Sequence, residues 1–360
     1  MRILITGICG FVGSTLVEAW RQGGSPHTLI GLDNMIRPGS EINRARLRSW
    51  DVPLVHGDLR CPSDLDALPP VDWVIDAAAN PSVLAGLDGK SSSRQLLEHN
   101  LVGTINLLEY CRRHRAGLIL ISTSRVYSIA PLSAIAVRAV NDAFAPSDAA
   151  AFPPGFTAAG IAEDFSTTPP LSLYGASKAA CETLALEYGC SFGFPVWINR
   201  CGVLAGPGQF GHAEQGIFSF WLHAWRARRP LKYIGFGGQG HQVRDLLHPR
   251  DLIDVFDRQM NDSGPSASRV FNLAGGAGQC MSLRQLSQWC AARWGEHAVQ
   301  SQPQPRPFDL PWVVLDSARA KERWGFEPRT RGPQILDEIA AFAEQNPQWL
   351  DLSHQPVVRA

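Results

Sequence analysis

The chain opens with an apolar run, Ile3-Leu4-Ile5-Thr6, that passes straight into Gly7-Ile8-Cys9-Gly10-Phe11-Val12-Gly13 and then into an amphipathic stretch. A strand, a glycine turn of GxxGxxG spacing and a helix restrict the fold sharply. Such a strand is hydrophobic on both faces, and it is buried only inside a parallel sheet covered by helices. Further short apolar runs at 28–32, 54–56, 73–76, 118–122 and 196–200 alternate with helical patterns at 11–21, 94–113 and 172–191. Each pattern is long enough to cross between parallel strands. The predicted fold class is α/β, a Rossmann-type doubly wound parallel sheet with a smaller C-terminal α+β substrate lobe.

A length of 360 residues fits two lobes. The composition shifts after Arg200 toward Trp, Gly and Pro, with short segments near 231–234, 251–260, 270–273, 283–294 and 334–343 that read as the second lobe. Residues 1–200 are therefore the expected nucleotide-binding domain, 201–345 mainly a substrate lobe and 346–360 a weakly constrained tail. The segment 128–170, rich in Ala, Pro, Ser and Thr, is expected to be an insertion, either a cover or lid beside the active site or a mobile surface segment. With 33 basic and 33 acidic residues there is no net field to hold a nucleic acid or an anionic membrane surface. A 45% hydrophobic, 18% charged chain without a run of about 18 apolar residues reads as neither disordered nor membrane-spanning. Eight cysteines without CxxC spacing read as reduced thiols of a cytoplasmic protein, and no metal site is expected.

The glycine turn points to a dinucleotide. Gly7 makes the tight turn, Gly10 lets the backbone approach a pyrophosphate and Gly13 lets the helix lie on the sheet, while Phe11 and Val12 open the helix whose free N–H groups receive phosphate charge. Asp33 lies twenty residues beyond Gly13 at the end of the second strand, with Asn34 beside it. There a carboxylate hydrogen-bonds the adenosine ribose and repels a 2′-phosphate, which favours NAD, although Arg37 nearby leaves NADP open. Asp58 and Leu59 follow the third strand as candidates for the adenine rim. Ala77, Ala78 and Ala79 follow the fourth, where small side chains let a cofactor pass, and Asn100 completes the candidate cofactor contacts.

Tyr174 and Lys178 stand four apart, on one face of a predicted helix. A phenol titrates near pH 10, so holding its anion at pH 7 needs about 4 kcal/mol of differential interaction. A neighbouring ammonium and the positive ring of an oxidised nicotinamide each contribute to that. The hydroxyl cluster Ser122-Thr123-Ser124, at the end of the 118–122 strand, can hydrogen-bond the substrate oxygen whose proton Tyr174 moves.

These motifs together resemble the extended short-chain dehydrogenase/reductases of the NAD-dependent sugar-nucleotide epimerase/dehydratase family. The likeness covers about residues 1–330 and includes the three glycines, Asp33, Thr123 to Tyr127, Tyr174 with Lys178, and the run Gln242 to Asp251. It implies Thr123, rather than Ser124, as the catalytic hydroxyl; Ser128 stands where the family usually has glycine. Within the family, the 127–174 segment and residues 200–216 are most similar to the CDP-paratose (CDP-tyvelose) 2-epimerases. That likeness implies tightly held NAD, oxidation at C2 of the sugar and return of hydride to its opposite face. The family's 4,6-dehydratases place Asp-Glu directly after the catalytic Thr, where this chain has Ser124 and Arg125, which argues against dehydration.

A UDP-sugar 4-epimerase, a net NAD(P)-dependent dehydrogenase or reductase, and a non-catalytic NAD-binding regulator stay open. Arg244 is the expected clamp on the diphosphate of a nucleoside diphosphate sugar, with Arg200 beside it and Ser124 and Arg125 near the sugar. Gln209, Phe210, His212, Glu214 and Gln215 lie on a Gly-rich loop expected to close over base and sugar. His248 and Asp251 read as structural. The resemblance also implies a homodimer built on 94–113 and 172–191.

Overall fold

The computed structural model describes residues 1–87, 92–147, 152–212, 215–262 and 268–353. Its main sheet has seven parallel strands: β1 (Arg2–Thr6), β2 (Thr28–Asp33), β3 (Leu54–His56), β4 (Trp73–Asp76), β5 (Gly117–Thr123), β6 (Val196–Cys201) and β7 (Val270–Leu273). The order is β7-β6-β5-β4-β1-β2-β3. Successive residues of each strand point to opposite faces. Ile3 and Ile5 thus join Trp20, Ile75 and Trp197 on one side, while Leu4 joins Ile30, Val74 and Leu118 on the other. Winding reverses between β1 and β4, and the crevice outside their C-terminal ends is where a doubly wound sheet receives its ligand.

Three helices position the site. α1 (Phe11–Gln22) follows the glycine turn. The helix predicted over 94–113 is interrupted: a turn of π-helix at Glu98–Val102 separates Ser93–Leu97 from α2 (Gly103–His114). The extra residue of the π turn brings Asn100 inward to a buried position. α3 (Leu173–Phe192) starts where the Ser172 hydroxyl accepts from the Gly175 N–H at 3.0 Å, and it stops at Gly193, which takes the left-handed conformation at φ 71°.

The second lobe packs α4 (Ile217–Arg226), α5 (Leu283–Trp294) and α6 (Gly332–Gln345) around Trp221, Trp225, Leu286, Ile335 and Ile339. Three sequence expectations change here. Residues 270–273, grouped from composition with the second lobe, form the edge strand of the main sheet, because Val270 to Leu273 pair in register with Ile198 to Cys201. The described residues of the 128–170 insertion do not form a cover. They form two hairpins, Val137–Val140 with Ala143–Pro146 and Phe156–Thr157 with Gly160–Ile161, and strap the lobes together. Phe156, Ile161 and Phe165 pack against Trp312, Val313 and Leu315, and Ile161 exchanges backbone hydrogen bonds with Val314 and Asp316 at 2.9 Å each. Among the described residues, none of 128–170 lines the central cleft. The expected tail is docked as far as 353: α7 (Trp349–Ser353) seats Trp349 against Phe210 and Phe11. Among the described residues no helix is long and apolar enough to cross a membrane.

Candidate active site

A cleft of about 400 Å³ runs between the lobes over the C-terminal ends of β1, β4, β5 and β6. A smaller cavity of about 260 Å³ adjoins it, lined by Asp33, Asn34, Asp58, Leu59 and Ala78. A larger groove of about 1140 Å³ lies between α1, α6 and residues 324–331, away from Thr123 and Tyr174.

The glycine turn is held by close approach. Gly7 has φ 62°, and a Cβ there would sit 2.8 Å from the Ala78 Cα, which brings the β1 and β4 loops together; a Cβ on Gly13 would sit 2.5 Å from the Gly7 carbonyl oxygen. Gly10 caps α1 without a side chain and no acidic residue occupies the first turn, so the opening amides of Phe11 and Val12 face the cleft beside the positive end of the helix. That concavity fits a pyrophosphate. Asp33 is fixed by the Cys9 N–H at 2.8 Å and the Met35 N–H at 2.7 Å. Burial pushes its carboxyl up and those two N–H groups pull it down, with burial prevailing. Asn34 donates to Asp58 at 3.0 Å. Burial pushes Asp58 up as well, but hydrogen bonds from Arg60 outweigh it and hold the carboxyl well below the usual range. Ala77, Ala78 and Ala79 line the cleft as expected from their small size. Asn100 does not line it. Its amide is spent behind the loop, donating to the Asn80 carbonyl at 3.0 Å and the Ser177 hydroxyl at 3.1 Å and accepting from the Asn80 N–H at 2.7 Å, so it positions the 77–81 loop instead.

At the other end, Thr123 terminates β5 in register with Cys201, and Tyr174 lies in the first turn of α3. Burial raises the Tyr174 phenol; Lys178, the Thr123 hydroxyl and Arg125 each act to lower it. Lys178 is 2% exposed. Burial acts to lower its ammonium, but Asp76 and Tyr174 outweigh that and raise it, so the ammonium stays charged. Asp76, the last residue of β4, is in turn held by the Thr6 hydroxyl at 2.6 Å. Sequence reading missed Asp76. Its only signal was a carboxylate ending an otherwise apolar run.

On the second-lobe side, Arg125, Arg244 and Arg306 gather around Asp309. Arg244 donates to Asp309 at 2.9 Å and Arg306 at 3.1 Å, while Arg125 donates to the Phe308 carbonyl at 3.0 Å. Burial and the adjacent Arg244 lower Arg125 to about 10. Three guanidiniums in one wall, those of Arg125 and Arg244 desolvated, attract a polyanion such as a diphosphate. Arg306 and Asp309 were also missed, since they lie more than 60 residues from Arg244 and only the sheet pairing of Arg244 with Val313 brings them near.

Arg200 departs from expectation. Its guanidinium binds Glu182 at 2.7 Å, donates to the Glu163 carbonyl at 3.1 Å and lies 5.0 Å over the Tyr127 ring, outside the cleft. A buried carboxylate claims it before any phosphate could. Ser124, Gln209, Phe210 and Gln215 do line the cleft. The Gln209 amide donates to the Leu204 carbonyl at 2.7 Å, and Phe210 stacks on Trp349 with centroids 5.2 Å apart. Glu214 lies outside the described residues. His248 and Asp251 are used internally, His248 accepting from Arg250 and Asp251 holding Thr330.

Comparison with known proteins agrees with this geometry. The model of the NAD dependent epimerase/dehydratase family matches residues 3–274. The chain is 30% identical to a CDP-paratose 2-epimerase of Salmonella typhi over 79% of this chain and 82% of that one. It is 28% identical to a dTDP-glucose 4,6-dehydratase of Streptomyces niveus, over 99% and 96%. Among solved structures, the Thermus thermophilus UDP-glucose 4-epimerase in complex with NAD superposes with a TM-score of 0.71 at 26% identity, covering 96% of this chain and 99% of that one. A Bacillus cereus UDP-glucuronic acid 4-epimerase mutant with NAD superposes at 0.76 and 23% identity over 96% and 99%. A doubly wound sheet with a glycine-turn cradle, and Thr123, Tyr174 and Lys178 close together beyond it, is the arrangement of an extended short-chain dehydrogenase/reductase. The chain belongs to the NAD-dependent epimerase/dehydratase family of sugar-nucleotide enzymes, and NAD is its cofactor.

Proposed function

We propose that the protein epimerises a nucleoside diphosphate sugar, in the manner of a CDP-paratose 2-epimerase, by removing hydride from C2 and returning it to the opposite face. The carrying observation is the absence of a second acid and base: among the described residues, Asp33 is the only carboxylate that lines the cleft, and it lies at the adenosine end. Elimination of water needs a general acid and a general base beside the sugar. Here Ser124 and Arg125 follow Thr123, and burial keeps the nearby Cys201 a thiol, pushed up to about 12.

Bound NAD supplies a reversible hydride acceptor. Tyr174 takes the sugar hydroxyl proton and later gives it back, Lys178 and Arg125 stabilise the phenolate meanwhile, and Thr123 holds the oxygen. Arg244 and Arg306 hold the diphosphate while the sugar presents either face. Similarity to the Salmonella enzyme supports the choice of a CDP-sugar and of C2.

The test is direct. Denaturing fresh protein should release close to one NAD per chain, and CDP-paratose should be converted to its 2-epimer without net cofactor change. Tyr174→Phe should keep the NAD and lose turnover by at least about a hundredfold, the lower end for general acid–base catalysis. Stoichiometric consumption of added NAD(P), conversion of UDP-glucose alone, or a dehydrated 4-keto product would each overturn the assignment.

A further inference from the structure

Arg37 belongs to neither the catalytic set nor the diphosphate wall, yet it borders both the central cleft and the adenosine cavity. It stands four residues after Asp33, in a turn ordered by Asp33 itself through the Met35 N–H and by Asn34, which accepts from the Ile36 N–H at 3.0 Å. From that turn its guanidinium reaches across the cleft. One Nη donates to the Phe210 carbonyl at 2.7 Å and the other to the Gln215 side-chain oxygen at 3.0 Å, and the group lies 5.9 Å over the Phe210 ring. Its Nε is buried without a partner among the described residues, and burial lowers the guanidinium to about 10.

The contact is tight elsewhere too. A Cβ on Gly39 would meet the Phe210 ring at 2.9 Å, so the turn and the loop are in van der Waals contact. On its far side the same loop is fastened by Trp349, which stacks on Phe210 and donates to the Gln209 carbonyl at 2.9 Å. Both Nη groups are therefore engaged with the loop, and Arg37 is not a free receptor for a cofactor 2′-phosphate.

We propose that Arg37 is a positioning residue that ties the adenosine end of the NAD site to the substrate loop around Phe210 and Gln215, so that NAD and the nucleotide sugar strengthen each other's binding. The inference rests on the nucleotide-sugar reading above. A ligand that engages Asp33 and Asn34 orders the 33–40 turn, and the two charge-assisted hydrogen bonds of Arg37 carry that order to the loop. By linkage, order imposed on the loop by a nucleotide returns to the NAD site by the same factor.

The experiment titrates CDP and UDP into full-length protein, either loaded with NAD or stripped of it. Loaded wild type should bind one of them at least about fivefold tighter than stripped protein, the lower end of ordinary coupling. Arg37→Met and Gln215→Ala should each reduce that ratio to under about twofold, and Arg37→Lys, which restores one charged donor, should recover part of it. A residue that merely supported the fold would alter both affinities and leave the ratio intact. Gln215→Ala removes the acceptor without touching the turn, so it decides the matter if Arg37→Met does not fold. Full coupling in Arg37→Met and Gln215→Ala, or none in wild type that binds CDP or UDP, overturns the Arg37 link alone. Wild type that binds neither nucleotide overturns the substrate class and the link with it.

Discussion

Replacing Arg200 by methionine separates a structural role from a substrate role for this residue. Its side chain is 9% exposed and that of Glu182 is 5% exposed. Three hydrogen bonds at 2.7–3.2 Å join them. The apolar replacement leaves the Glu182 carboxylate buried with the Ser122 hydroxyl as its remaining hydrogen-bond partner. Breaking one side of such a pair costs about 3–5 kcal/mol, because the abandoned charge keeps its desolvation penalty. Unfolding entropy is about 2.1 cal/mol/K per residue, so over 360 residues the melting temperature should fall by about 4–7 °C. The companion variant Arg200→Met/Glu182→Gln removes both charges and should recover about 2 kcal/mol or more. Circular-dichroism melts of NAD-loaded protein give the stability, and CDP titration of the same samples gives the site. The structure requires a large loss in the single variant, recovery in the double and CDP affinity within about twofold of wild type, since Arg200 lies outside the cleft. A melt within about 1 °C of wild type together with a tenfold loss of CDP binding would refute this reasoning and return Arg200 to the phosphate.

Gly13→Ala puts a methyl 2.5 Å from the Gly7 oxygen and 2.6 Å from the Ile8 Cα. Backbone must move, at about 1–3 kcal/mol, and NAD retained per chain after gel filtration should drop at least about fivefold; unchanged retention would count against the cradle. Asp76→Asn removes the buried counter-ion of Lys178, so the alkaline limb of the turnover profile should move to lower pH, and a profile superimposable on wild type would exclude that role. Acid should destabilise the protein through His248, whose ring burial and the neighbouring Arg250 lower to about 3. The unfolded chain takes up that proton first, so this contribution is complete above about pH 6.5 and is lost as pH falls toward 3. At pH 5 the loss is about 2 kcal/mol, and urea unfolding of His248→Gln at pH 7 and pH 5 should show a pH difference smaller by that amount.

Local chemistry made much of this legible. The apolar runs of six of the seven strands in the sheet, the glycine turn and the Tyr174–Lys178 spacing each depend on residues within one or two turns of one another, where period, steric permission and i,i+4 geometry act without reference to the rest of the chain. The order of the sheet was not among them, because right-handed crossovers admit more than one doubly wound order and only strand pairing chose between them. Asp33, Ala77 to Ala79 and Thr123 were readable because strand ends in such a sheet converge on the ligand.

What the order of residues could not reveal is which partner each polar group chooses across the chain. Arg200 and Arg244 look alike in sequence, each in or beside an apolar run, yet one meets Glu182 from α3 and the other Asp309 from a loop 65 residues away. The same holds for Arg37, which proximity assigns to a cofactor phosphate and the fold assigns to Phe210 and Gln215. Phe156, Ile161 and Phe165 sit in a stretch of weak local pattern because their packing comes from Trp312, Val313 and Leu315, and Trp349 is placed by Phe210 rather than by its own neighbours. By itself the sequence determined the strands of the α/β sheet, the glycine turn that follows the first of them and the i,i+4 pairing of Tyr174 with Lys178, because those are properties of short segments. Only tertiary structure decided which arginines face the cleft and what holds the loop over it, because a buried charge is committed by whichever desolvated counter-charge the fold brings within hydrogen-bond reach.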